Sequence, residues 1–357
     1  LGAFLLDELL ATTQATVHCL VRPREDETPL ETIRSNLRDY GLEDAARSER
    51  VVAVSGDLSS PLFGMKEQDF EDLGQEVESV VHAGAAVNLV YPYAALEAAN
   101  VGGTREVLRL AGRDGATPVH YVSTNGIFAS DSEVCLEDTD SDELAGVRED
   151  GYGQSKWVAE KLVWRAAEQG LPVSVYRPGN ISGHSGTGAA NPRDLLGAVV
   201  AESIRIGAAP EADGWMMEMT PVDFVTGAIR HIASDPECFG RVYHLANPGP
   251  IPAQEFFDLL EETGYPLERI PYTDWLKLVK ETTEPEGAGD ILRGAAPEPE
   301  ELSDTNLYDD RNTREALRDG GPSRPVFDRD LISTYAQYFA EQIETESSKL
   351  QDTSRRG

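Results

Sequence analysis

Cysteine is sparse in this 357-residue chain, and the three present, Cys19, Cys135 and Cys238, lack the paired spacing of a zinc site or a redox motif. Free thiols are expected, and metal and disulfide chemistry drop out. Long hydrophobic runs are missing as well. Nothing approaches the roughly 20 apolar residues that a membrane-spanning helix needs, and no basic, apolar leader with a small-residue cleavage site stands before the first helix. The expectation is a soluble, cytoplasmic protein. Basic charge is scarce, with 31 lysines and arginines against 63 acidic residues and a formal net charge of −32. A field of that sign repels polyanions, which argues against nucleic acid or membrane as partners. Lysine is scarcer still than arginine. Such a surface fits adaptation to high salt, where counterions screen self-repulsion, or an acidic cytosolic enzyme from an arginine-rich proteome.

What is present is enough chain, at 40% hydrophobic residues, to bury a sizeable core in one large domain or two smaller ones. Five near-continuous apolar runs read as buried strands: TVHCLV (16–21), RVVAVSG (50–56), SVVHAGA (79–85), PVHYVST (118–124) and PVSVYRP (172–178). Helical patterns lie between them, at 30–40, 93–113 and 152–169. Strand and helix in alternation imply an α/β fold with a doubly wound parallel sheet, and such sheets bind ligands at the carboxyl ends of their strands. After residue 178 the rhythm breaks into a Gly-rich loop, a helix near 194–207 and a late strand, VYHLAN (242–247). A Pro/Glu/Gly-rich stretch at 283–304 reads as a mobile loop. The chain opens in mid-pattern, on a helix whose preceding strand and glycine-rich turn are expected just ahead of it.

The stretch GYGQSKW (151–157) holds a tyrosine and a lysine four residues apart. On a helix they share a face, so an ammonium at Lys156 can favour the phenolate of Tyr152 and bring it toward working pH. A Tyr-x-x-x-Lys match alone is weak. Its context adds to it: VHYVST ends in Ser123 and Thr124, and a hydroxyl there can reach the same substrate oxygen as the phenol. The bland alternatives are a turn cap at the strand end and a packing tyrosine on the helix. His82 and His120 lie inside strand patterns and read as core residues, while His184 sits in the GHSGTG loop; none is assigned base chemistry.

Taken in order, HAGAAVN, NVGGT, YVST, GYGQSKW and YRPGNISG resemble the extended short-chain dehydrogenases/reductases over nearly the whole chain. More narrowly, the segments 90–111, 151–163, 176–196, 220–225 and 243–251 resemble the thioester reductase domain that ends many nonribosomal peptide synthetases. The terminal domains of aminoadipate reductases and carboxylic acid reductases are also similar. The resemblance implies a Rossmann-type NADP-binding domain over 1–184, lacking its first strand and the start of its glycine turn. It also implies a substrate loop and helix over 185–221, a return to the sheet over 222–249, a helical substrate and carrier-docking subdomain over 250–345, and a tail over 346–357. Thr124, Tyr152 and Lys156 correspond to the catalytic set. Gly2 matches the third glycine of the cofactor turn. Arg22, with Arg24, stands where a basic residue welcomes the extra phosphate of NADPH; the second basic position of the family is Thr32 here, with Arg34 one turn away. Asp57 and Leu58 match the segment along the adenine. Ala83, Gly84 and Ala85 line the crevice, and Asn100, Ser123, Pro178, Gly179 and Ile181 complete the cofactor-binding set.

The implied reaction is NADPH-dependent reductive release of an acyl or peptidyl thioester from the phosphopantetheine arm of a carrier protein. The product is an aldehyde, with an alcohol if a second hydride follows. The implied setting is a monomeric domain of a larger synthetase in secondary metabolism. Arg193 and Arg205 are candidates for a basic patch that meets the carrier. Two other readings stay open: a reductase or epimerase acting on a small diffusible substrate such as a nucleotide sugar, and a noncatalytic NADP-binding module on the same fold.

Overall fold

The computed structural model describes residues 1–113, 116–128, 134–139, 150–191, 194–211, 213–282, 290–295 and 306–356. The chain divides into two compact units. One comprises Leu1–Gly179, Phe224–Pro248 and Asn306–Pro322; the other comprises Asn180–Asp223, Gly249–Thr305 and Ser323–Gly357.

The first unit is an alternation of helices and parallel strands. Helix α1 (Gly2–Thr12) leads to β1 (Val17–Val21), α2 (Pro29–Asp39), β2 (Val51–Ser55), α3 (Glu67–Glu76) and β3 (Val80–His82). Then come α4 (Gly103–Ala111), β4 (Val119–Val122), α5 (Gly151–Glu168), β5 (Val173–Pro178) and, after the excursion into the second unit, β6 (Arg241–Leu245). Every residue of β4 and β5 is buried, as a strand covered on both faces requires, whereas β1 is only half-buried and Val52 and Ser55 of β2 are exposed, so the expectation of buried strands holds for β4 and β5 and not for the first two runs. Helix starts follow local chemistry. Thr28 and Glu31 form a reciprocal capping box on α2, with Pro29 in its first turn, and the Asp150 carboxylate accepts the Gly153 N–H at 2.6 Å to start α5.

The α/β class with parallel strands holds: β1 pairs with β2, and β3, β4, β5 and β6 pair in the order β6-β5-β4-β3, all in parallel. Among the described residues no strand bridges β1 and β3. The helix expected over 93–113 is interrupted, because a π-helical turn at Ala98–Gly102 separates a short helix, Tyr93–Glu97, from α4. The wide turn carries the buried Asn100, whose side chain bonds outside the helix.

The second unit is mainly helical, with helices Leu195–Ile206, Ala253–Glu262, Tyr272–Thr282 and Arg329–Arg356. Short strands pair across it, Ala208–Glu211 with Glu268–Pro271 in parallel and Met216–Met217 with Ile251–Pro252 antiparallel. Its core gathers Phe256, Phe257, Trp275, Ile332 and Tyr335, and the Trp275 indole donates to the Ala208 carbonyl at 3.0 Å. The end of the chain, expected as a tail from 346, continues the last helix to Arg356. Of the stretch 283–304, only the helical segment Asp290–Ala295 lies within the described residues. No helix among the described residues is long and apolar enough to cross a membrane.

His82, His120 and His244 are buried in the first unit. Burial pushes them down to about 3, about 4 and about 3, with the charge of Lys156 adding at His82 and that of Arg177 at His244. Unfolding returns each toward an ordinary value of about 6.5. Between roughly pH 4 and 6.5 the unfolded chain therefore binds more protons at these sites, and their contribution to stability is lost as pH falls through that window. The expected outcome is that three of the six imidazoles fail to titrate above about pH 5 by NMR. His120→Gln should weaken the fall of Tm with acid relative to the unaltered chain.

Candidate active site

The site is built on the carboxyl ends of the first unit's strands and the first turns of α5. Tyr152 and Lys156 lie one turn apart on α5, and Thr124 follows β4. The start of α5 is held against another segment with no room to spare. A Cβ on Gly151 would collide with both the Tyr91 carbonyl oxygen and the Tyr93 nitrogen, so only glycine lets these backbones approach. Asn100 closes the same corner. Its amide accepts the Ala86 N–H at 2.7 Å, donates to the Ala86 carbonyl at 3.0 Å and donates to Ser155 Oγ at 2.8 Å. Ser155 Oγ in turn donates to the Tyr152 carbonyl at 2.8 Å. Asn100 thus clamps the segment that follows β3, at Ala86, to the first turns of α5.

Lys156 is buried, its ammonium donating to the Val122 carbonyl at 2.8 Å and lying 4.2 Å from the centre of the Tyr121 ring. Burial pulls it down to about 7, against the opposing pull of Glu160. Tyr152 is pushed up to about 12, first by burial and then by Asp150. The expected lowering of the phenol by its neighbouring ammonium is therefore not what this arrangement produces. The lysine head is engaged by Val122 and the Tyr121 face, and desolvation dominates at the tyrosine. That raised value keeps the Tyr152 hydroxyl protonated at neutral pH, with a proton to give.

Thr124 Oγ accepts the Gly126 N–H at 3.0 Å and so caps the turn Asn125–Ile127. The bland reading of a strand-end threonine holds, but the cap uses only the acceptor side. As a donor the hydroxyl makes a long contact, 3.5 Å to Asn125 Oδ1, which a better acceptor can displace. Ser123 differs from expectation. Its hydroxyl donates to Glu160 Oε2 at 2.5 Å and its N–H to the Tyr176 carbonyl at 2.7 Å, so its polar groups face the protein interior rather than a ligand.

The remaining residues expected to hold a cofactor lie at successive strand ends. Arg22 follows β1 with its guanidinium 80% exposed, its one ion pair among the described residues being a 3.5 Å contact to Asp57. Asp57 accepts from the Ser59 N–H and hydroxyl at 2.8 and 2.6 Å, which holds its carboxyl below the usual range. Arg24 is spent on Ser35 and Asp39, and Thr32, at the position expected to be basic, is buried and accepts the Arg24 N–H. Leu58 packs on Gly84 and Gly103, where a Cβ would come within 2.8 and 3.0 Å of it. Gly2 opens α1, and a Cβ there would meet no protein atom within 4 Å, while Pro178 ends β5 and Gly179 follows it. Ile181 belongs to the second unit, in a two-residue strand paired with Thr220–Pro221. A largely exposed guanidinium, small residues after β3, and a phenol and lysine without a shared partner are a set that fits a nicotinamide dinucleotide. Arg193 lies outside the described residues, and Arg205 is taken up by Glu202 and Thr282 within its own unit.

Glu160 and Arg177 were missed by the sequence reading. They form an ion pair at 2.5 Å with 0 and 1% of their side chains exposed. Two signals pointed to them: an acidic residue continuing the i, i+4 face of Tyr152 and Lys156, and an arginine inside an otherwise apolar strand. Glu137 was also missed, and nothing in its surroundings marked it. Buried, it accepts from the N–H groups of His244, Asn312 and Thr313 and from the Thr313 hydroxyl, joining three segments of the first unit.

The NAD-binding family described as Male sterility protein matches residues 1–229. Glycine betaine reductase ATRR of Emericella nidulans is 45% identical over 95% of this chain, and a subunit of the linear gramicidin synthase of Brevibacillus parabrevis is 37% identical over 95%. The chain spans 28% of the length of the first and 7% of the second. Among solved structures, the terminal R domain from the myxalamid PKS-NRPS biosynthetic pathway superposes with a TM-score of 0.84 at 40% identity, covering 96% of this chain and 88% of that one.

Gly151→Ala tests the close approach at the start of α5. The added methyl meets backbone that cannot swing aside. The expected outcome is a folded protein with Tm lowered by about 2–4 °C or more and Tyr152 displaced, read as a change in the fluorescence and NMR signals of the first turn of α5.

Proposed function

The chain belongs to the NAD-binding family described as Male sterility protein and is similar to the terminal R domain of the myxalamid pathway, and from that premise we propose that it is an NADPH-dependent thioester reductase. Its substrate is an acyl or peptidyl thioester on the phosphopantetheine arm of a carrier protein, and its first product is an aldehyde. The observation that carries this reading is a protonated phenol, Tyr152, without a hydrogen-bond partner among the described residues, one helical turn from a buried lysine, on a helix that packs against the turn opened by Thr124. The reductase and synthase names of its relatives support the substrate class.

A bound nicotinamide supplies hydride to the thioester carbon. The chain's own residues manage the oxygen. As negative charge develops there, Tyr152 and Thr124 donate hydrogen bonds to it, and in a site shielded from water such donors act far more strongly than in bulk. Tyr152 then gives up its proton; its raised value keeps the proton in place at neutral pH and brings it near that of the alkoxide it must neutralise. Lys156, one turn on, adds positive charge only while its amine is protonated, a form that burial disfavours and that the Val122 carbonyl and the Tyr121 ring hold. The resulting hemithioacetal loses the carrier thiol to give the aldehyde. Arg22 is the group that distinguishes NADPH from NADH, because a guanidinium pairs a phosphate bidentately and has no comparable partner on a bare ribose.

The test follows NADPH absorbance with an acyl-pantetheine thioester and identifies the product. Oxidation of NADPH with aldehyde formation is expected, and Tyr152→Phe should lower kcat by about 100-fold or more at unchanged Tm. A folded Tyr152→Phe variant with unaltered turnover would sink the assignment. Arg22→Ala should leave NADH use unchanged and raise the KM for NADPH by about tenfold, which tests the cofactor choice separately.

A further inference from the structure

The thioester reductase reading accounts for Thr124, Tyr152 and Lys156 but leaves the buried Glu160 without a task. We infer that Glu160 is a positioning residue for the reductive site, tying together the three segments that carry it. The inference rests on the reductase reading and concerns how its parts are held.

Glu160 is fully buried and uses both carboxylate oxygens. Oε2 accepts from Ser123 Oγ at 2.5 Å and from Arg177 Nε at 3.3 Å; Oε1 accepts from Arg177 Nη2 at 2.5 Å and from Trp164 Nε1 at 3.4 Å. Each partner outside its own helix is the chain neighbour of a site residue. Ser123 precedes Thr124, and Arg177 precedes Pro178 and Gly179. On α5 itself Glu160 stands one turn beyond Lys156 and two beyond Tyr152, on the same face. One carboxylate thereby links the ends of β4 and β5 to the helix that carries the tyrosine and the lysine.

The link is stiff because its members have little freedom elsewhere. Arg177 also meets His244 Nε2 at 3.3 Å and lies 5.2 Å from the centre of the Phe128 ring. His244 Nδ1 hydrogen-bonds the Asp309 carbonyl at 2.8 Å. Burial alone would push the Glu160 carboxyl up, but the charge and hydrogen bonds of Arg177, with Ser123 and Trp164, hold it below its ordinary value, so it is ionised at neutral pH. A buried ion pair of this kind is weak evidence for stability, since apolar residues of similar volume often do as well. What apolar residues cannot do is fix Ser123 and the end of β5 in register with α5.

That contrast supplies the test. Glu160→Gln and the paired Glu160→Met/Arg177→Met variant are compared with the unaltered chain for Tm, for NADPH affinity by fluorescence titration, and for kcat and KM with an acyl-pantetheine thioester. The pair is expected to recover the Tm that Glu160→Gln loses. In both variants kcat should stay down by about tenfold or more, as an ångström-scale displacement of reacting groups requires, with KM for the thioester within about threefold. A paired variant with unaltered Tm and unaltered kcat overturns the inference, because the pair then served only the fold. If neither variant folds, Ser123→Ala breaks one hydrogen bond of the carboxylate without stranding a charge. A drop in kcat at constant Tm supports the inference, and unaltered kcat overturns it. An unaltered chain that binds NADPH but reduces no thioester refutes the reductase reading instead. The role of Glu160 is then read from the titration, where about tenfold weaker NADPH binding by the paired variant is expected and equal affinity overturns it.

Discussion

Two opposite charges share a space with almost no water where α5 crosses the ends of β4 and β5. Removing a carboxylate and a guanidinium from solvent costs several kcal/mol for each ion, and attraction at close range offsets this only when the geometry is good and the remaining lone pairs find donors. Glu160 and Arg177 meet that condition, with Ser123, Trp164 and His244 filling the remaining positions. The consequence is mutual constraint. A helix and two strands that would otherwise be held by non-directional apolar packing acquire one relative register, and the site residues are the neighbours of the groups so held.

Around that anchor, desolvation sets the electrical character of the site. The same burial that lifts Tyr152 to about 12 draws Lys156 to about 7. A tyrosine and a lysine side by side are commonly pictured as a phenol made acidic by an ammonium. Here the low dielectric disfavours both charged forms, phenolate and ammonium alike, and the pair is neutral phenol beside an easily discharged amine. Such a phenol is a proton donor in reserve. This matches reduction, in which the oxygen gains electrons and then needs a proton.

Much of this was legible beforehand because the signals were local. Near-continuous apolar runs marked β1 to β5, and in β4 and β5 the reason is that a strand covered on both faces has no polar side to show. Tyr152 and Lys156 on one helical face followed from the 3.6-residue period, while the roles proposed for Thr124 and Arg22 came from the family resemblance. What escaped was non-local. The π turn at Ala98–Gly102 answers to Asn100 reaching Ala86 and Ser155, the latter 55 residues further along the chain. Ser123 read as a ligand contact because it ends a strand, yet its hydroxyl turns inward to a carboxylate 37 residues away. Glu137 carried no mark at all, because the amides that hold it come from His244, Asn312 and Thr313.

The sequence by itself determined the class of fold and the helical face that Tyr152 and Lys156 share, because periodicity is a property of short stretches of chain. Only the tertiary structure decided how those residues are charged and held. Burial, which no short stretch specifies, moved the tyrosine and the lysine in opposite directions, and the partners of Glu160 came together only when β4, α5 and β5 packed.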